Sequence, residues 1–301
     1  MKPLKISIAL ALSLPLFMLS CSENDNNSQK IEVSEEEKAR DSIKQVSAQK
    51  VFYSIPSPLE TSMFLKDLDI PYDKNMLNPA TNKEKYSTVG EKALNLGVYG
   101  ACLGYVSIYD KTQEAMQYLA ATEYLAKEIG LSHVFTVENI EKFENSLNDK
   151  EAMIELISDT YLEIDLYLKE NDREALSALT IAGGWIEGLH IAVVKEEKLR
   201  LKADHEKMIN IIIDQKTALD NLVLLTEFYV ENEKVATIHK QLLALKSLYD
   251  IIDVQVENNE AVSESDGITT IGGSGTIDVK QSDIEAIGAK VKEIRNSIVN
   301  I

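Results

Sequence analysis

The chain has 301 residues, with 31 Lys and Arg against 49 Asp and Glu, for a formal net charge of −18. That balance repels phosphate backbones and anionic headgroups, which argues against a nucleic-acid partner. Of the two cysteines, Cys21 falls in a leader-like segment and Cys102 is left alone, so no internal disulfide is expected and stability must rest on packing.

Lys2 and Lys5 precede an apolar run over 6–19 that is broken only by Ser7, Ser13 and Pro15 and ends at Ser20-Cys21. A charged start, an apolar stretch and small residues at its end describe a secretory signal, too short to span a bilayer comfortably. Met18-Leu19-Ser20-Cys21 resembles the lipobox of bacterial lipoproteins, in which the cysteine is acylated and becomes the new N-terminus. The resemblance implies a signal peptide over 1–20, lipidation at Cys21 and a polar, flexible tether over 21–33. At ~0.8 kcal/mol per buried CH₂, several acyl chains would make that anchor effectively permanent. Loss of the leader would leave 29 basic against 49 acidic residues, a net charge of −20. Ser22 followed by Glu23 and Asp25 also resembles the export signal of surface lipoproteins in Bacteroidetes. The implied address is the outer membrane, with the leaflet left open. The expected partners are the membrane itself, through the anchor, and an envelope protein.

Beyond the tether the composition is helical, with no proline after Pro79 and few glycines. Ser34 and Glu37 form a capping-box pattern that starts a helix over 34–53. Ser57 caps a second, with Pro58 at its first position and an end near Asp69. The stretch 71–85 has no apolar period and reads as loop. Ser87 or Thr88 begins a helix reaching about Tyr109, and Asp110 is expected to cap the next, which closes at Gly130. A short amphipathic helix over 136–147 follows, then one over 150–169 capped by Asp149. Asp172 is expected to cap a helix running to about Lys202. Single helices over 204–230 and 233–257 show apolar residues at helical spacing. The segment 259–281, rich in Gly and Ser, reads as a flexible loop with a weak hairpin pairing 268–271 with 276–279. A C-terminal helix over 282–301 completes the chain. The expected fold is all-α: an antiparallel bundle of about seven to nine helices filling 34–258, with a hint of a duplicated helix pair.

Two helix centres carry glycines where each costs about 1 kcal/mol relative to alanine. One holds Gly97, Gly100 and Gly104; the other holds Gly184 and Gly188. Gly100/Gly104 and Gly184/Gly188 each fall at i,i+4, which predicts that the two helices cross at close range there. The polar residues Asn95, Tyr99, Tyr105, Trp185, Glu187 and His190 lie within the same apolar runs. Buried polar groups need partners or a cavity, so they read either as a satisfied core network or as the lining of a ligand pocket.

The runs Ile55-Pro56-Ser57-Pro58-Leu59-Glu60, Tyr86-Ser87-Thr88, Asn95-Leu96-Gly97-Val98-Tyr99-Gly100-Ala101 and Gly183-Gly184-Trp185-Ile186-Glu187-Gly188 resemble a family of uncharacterised Bacteroidetes envelope lipoproteins. The resemblance covers about 50–200 and brings no activity with it. Cys102 stands where relatives would carry an acidic residue, and the C-terminal hundred residues add nothing to the likeness.

Catalytic signatures are scarce. The four histidines are widely separated, no His-Glu-x-x-His or paired-cysteine metal spacing occurs, and no cofactor motif is present. Glycines 272, 273 and 275 lack the Lys-Ser/Thr of a phosphate loop, and one Glu-x-x-His pair, Glu187 with His190, falls short of a di-iron bundle. The reading is therefore a non-enzymatic, lipid-anchored envelope protein that binds or scaffolds. The alternatives are a small-ligand receptor with its pocket between the glycine helices and, more weakly, an enzyme using Glu60, Glu187 and His190.

Overall fold

The computed structural model describes residues 58–146, 149–200, 205–252, 264–265, 268–269 and 279–300. The expected signal peptide, Cys21, the tether, the helix over 34–53 and the far end of the helix over 233–257 lie outside these residues.

The described residues are all-helical apart from one two-residue strand pair. The helices are α1 (Pro58–Asp67), α2 (Val89–Ile108), α3 (Thr112–Glu128), α4 (Val137–Ser146), α5 (Lys150–Glu170), α6 (Glu174–Leu199), α7 (His205–Ile213), α8 (Gln215–Glu227), α9 (Glu233–Tyr249) and α10 (Gln281–Val299). Between α1 and α2 the chain makes only two 3-10 turns, Lys74–Met76 and Ala80–Lys85.

Local sequence explains most boundaries. Thr88 accepts from the Glu91 backbone N–H while the Glu91 carboxylate accepts from Thr88 and Ser87, a complete capping box. Asp149 caps α5 through the Ala152 N–H, as its spacing predicts. Asp110 and Asp172 do something else. Neither caps the helix that follows; each adopts a positive φ, 56° and 55°, and closes the helix before it. The Lys111 N–H reaches the Val106 carbonyl at 2.9 Å and the Arg173 N–H reaches Leu168 at 2.8 Å, the six-residue closure of a Schellman motif. Gly130 makes the same closure at φ 83°, but here aspartate tolerates the left-handed backbone that usually selects glycine. The caps of α3 and α6 are Lys111 and Arg173, without side-chain bonds.

One further expectation needs correction. The single helix over 204–230 is divided into α7 and α8 at Asp214, whose backbone stays right-handed at φ −60°, ψ −17°. Glu264–Ser265 pairs antiparallel with Ile268–Thr269, whereas most of the expected loop over 259–281, with its hairpin partner 276–279, lies outside the described residues.

The core is built on α2 and α6, both buried along nearly their whole length. By length and a mean hydropathy of 1.4, α6 could cross a membrane, yet 89% of that stretch is buried inside the protein and is spoken for by the bundle. Neighbours such as α2/α3 and α8/α9 run antiparallel, as Lys92–Glu128 and Lys216–Asp250 record. The central pair does not. Leu94 meets Gly183, Cys102 meets Glu187, and Tyr105 meets Lys195, so α2 and α6 ascend together, with α3, α4 and α5 as the crossover between them. The C-terminal helix, separate in the sequence, packs into the same core through Ile284, Ile287, Val291, Ile294 and Ile298, antiparallel to α6.

The glycines allow that central contact, though by a different set than i,i+4 spacing suggested. A Cβ on Gly97 would lie 1.8 Å from the Thr180 carbonyl oxygen, and one on Gly183 would lie 1.9 Å from that of Leu94. The contact is reciprocal, since Leu94 precedes Gly97 as Thr180 precedes Gly183. Gly100 instead receives the Tyr161 hydroxyl from α5, and Gly104 receives Leu59 from α1.

Candidate functional site

The 70–86 connection has few backbone partners of its own, and its polar groups would be orphaned against the apolar core without help. Side chains from α2, α6 and α10 supply that help. The Tyr109 hydroxyl donates to the Ile70 carbonyl at 2.6 Å and the Tyr99 hydroxyl to Pro79 at 3.0 Å. Lys195 donates to the Pro71 carbonyl, and Tyr105 accepts the Asp73 N–H at 3.0 Å. The Met76 carbonyl faces both Arg295 and His190, at 3.4 and 3.3 Å. Asn78 donates to Tyr86 and, at 3.4 Å, to Asn95, whose own amide donates to the carbonyls of Glu91 and Ile298. Together these groups form a polar shelf on which an irregular loop is fastened.

At its centre lies an ion pair. Glu187, 0% exposed, accepts from Arg295 Nε at 2.9 Å and Nη2 at 3.2 Å, while the Cys102 thiol sits 3.5 Å from the same carboxylate. Burial opposes the Arg295 charge, but the Glu187 carboxylate outweighs it and raises the guanidinium above its ordinary value. Burial, then Glu187, pushes the Cys102 thiol well up, which keeps it protonated and unreactive. Burial also lowers His190, so its ring is neutral; Nε2 donates to Met76 and Nδ1 is left without a hydrogen-bond partner. Lys195 falls to about 8 through burial.

Five of the six residues singled out from the sequence therefore meet on one shelf: Asn95, Tyr99, Tyr105, Glu187 and His190. Trp185 does not join them, since its indole donates to Gln215 on α8 at 3.1 Å. Their polar atoms, His190 Nδ1 apart, engage the loop and the ion pair, the arrangement of a core network. The void bordering Gly100 measures about 20 Å³, room for one water. Glu187 and His190 serve Arg295 and Met76, and the side chain of Glu60 lies outside the described residues. Among the described residues no cluster of three metal-ligating side chains occurs.

Arg295 is the partner that the sequence reading missed. Its signal was there: Ile284, Gly288, Val291, Arg295 and Ile298 share one helical stripe, and a charge on an apolar stripe asks for a buried counter-ion. Its distance from Glu187, 108 positions along the chain, hid the match.

Compared with known proteins, the chain matches no family model, no curated sequence and no solved structure.

Proposed function

We propose that this chain is a non-enzymatic, lipid-anchored module of the outer membrane that works by docking a protein partner on its outer surface. The observation that supports this is on α5. Leu162 and Leu166, 37% and 41% exposed, stand one turn apart on its solvent face. They line a groove of about 460 Å³ with His133 and Tyr167, whose ring centroids lie 3.8 Å apart at a tilt of 39°, and with Asp159, Glu163 and Glu170. An apolar pair inside a rim of carboxylates suits a partner that presents apolar side chains flanked by Lys or Arg. The anchor at Cys21 and the likeness to envelope lipoproteins supply the address, and neither supplies a reaction.

The test is in-cell cross-linking from a photoreactive residue at position 166, with and without Leu162→Asp. A single defined adduct that the substitution abolishes supports the reading. No adduct, or the same adduct in both, refutes it. Cys21→Ala should move the protein from the membrane fraction to the soluble one; continued membrane retention would refute the anchor.

A further inference from the structure

The outer side of the 70–86 loop has a feature that the α5 face does not explain. Between the loop and α3 lies a cleft of about 810 Å³, within the usual range for small-molecule sites. Both walls are held in place beforehand. The loop is fastened from beneath by the shelf, and α3 packs on α2 through Tyr99 and Tyr118, with ring centroids 6.1 Å apart. Ordering an irregular stretch costs roughly 1–2 kcal/mol of backbone entropy per residue, so a loop this firmly tied has a rigid surface to offer.

The lining has a definite chemistry. Asn75, Gln113 and Gln117 present side-chain amides, each both donor and acceptor, as the vicinal hydroxyls of a sugar require. Lys74 and Lys83 line the same cleft against one carboxylate, Glu114, so the local charge is positive in a chain of net charge −18. Tyr72 forms part of the wall, stacked on Tyr105 at 5.4 Å, and its shielded hydroxyl has no hydrogen-bond partner. Tyr72, Tyr118, Leu77 and Pro79 supply apolar wall against which the carbon face of a sugar ring can lie.

From this we infer that the cleft between the 70–86 loop and α3 binds a short glycan that carries an acidic group. The amides hydrogen-bond its hydroxyls, and Lys74 and Lys83 hold its carboxylate. The site is separate from the α5 groove, so a partner could be lost from one while a ligand is kept at the other.

The test is calorimetric titration of the detergent-solubilised full-length protein with trigalacturonate and sialyllactose, beside neutral galactotriose and lactose and inorganic phosphate. The acidic sugars should bind at least tenfold more tightly than the neutral ones, and more weakly as salt rises. Lys74→Gln/Lys83→Gln should weaken them at least tenfold with an unchanged circular dichroism spectrum. Gln113→Ala/Gln117→Ala, on the exposed face of α3, should weaken acidic and neutral sugars alike. Binding of neither acidic sugar, acidic binding untouched by the lysine pair, or phosphate binding as tight as the sugars would each overturn the proposal. None of these results depends on Leu162 or Leu166, so failure here leaves the docking reading to its own test.

Discussion

The crossing of α2 and α6 and the shelf above it sit on the same two helices but are held by opposite means. At Gly97 and Gly183 backbone touches backbone, and the contact works because nothing projects into it. A few residues further along, at Tyr99, Cys102, Tyr105, Glu187 and His190, everything projects, and the contact works because these polar groups are matched, His190 Nδ1 alone excepted. The first region tolerates no added atom. The second tolerates no missing partner.

The largest effect should follow from adding one methyl at the crossing. Gly97→Ala places a Cβ 1.8 Å from a backbone oxygen, where no side-chain rearrangement can relieve it. A loss of about 4 kcal/mol or more is expected, read as a lowered denaturation midpoint or failure to fold. Loss below about 1 kcal/mol would mean that the helices are not in contact there. Next in size is the ion pair. Arg295→Met strands a buried carboxylate and should cost about 3 kcal/mol in urea titrations. Adding Glu187→Leu to that variant should recover much of the loss, since two apolar groups need no partner. A double variant as weak as the single one would break the distinction between a matched shelf and a merely crowded one.

A smaller effect concerns pH. His190 is held below its unfolded value, so the unfolded chain takes up a proton first as pH falls. Its contribution is thus complete above about pH 6.5 and is lost as pH drops from there toward the folded-state value. Glu187 attracts the incoming proton, whereas Arg295 and Lys292 oppose it. His190→Gln should flatten that limb of a stability–pH curve, and an unchanged slope would remove His190 as its source. Least of all should the α5 face matter to the fold: Leu162→Asp should shift stability by no more than about 0.5 kcal/mol, as expected for an exposed site. A larger loss would show that this face is internal packing.

Much of this was written locally. Helix positions follow from 3–4 apolar spacing and from caps at Thr88 and Asp149, whose reach is three residues. Glycines in apolar runs announced a close helix contact, and polar residues in the same runs announced groups that need partners or a cavity, without deciding which. Asp110 and Asp172 misled because one residue type can start a helix through its side chain or end one through its backbone. Only the position of the next helix decides between these, and both cases here call for a tight reversal.

The sequence by itself thus determined an all-α bundle, its element order and which side chains would need partners, because periodicity and capping act over one or two turns. Tertiary structure alone decided that α2 and α6 run parallel, that Gly97 and Gly183 form the contact, that Arg295 answers Glu187 and that the 70–86 loop walls a cleft. Those choices join residues far apart in the chain, where the partner is selected by packing of whole helices and no local pattern encodes it.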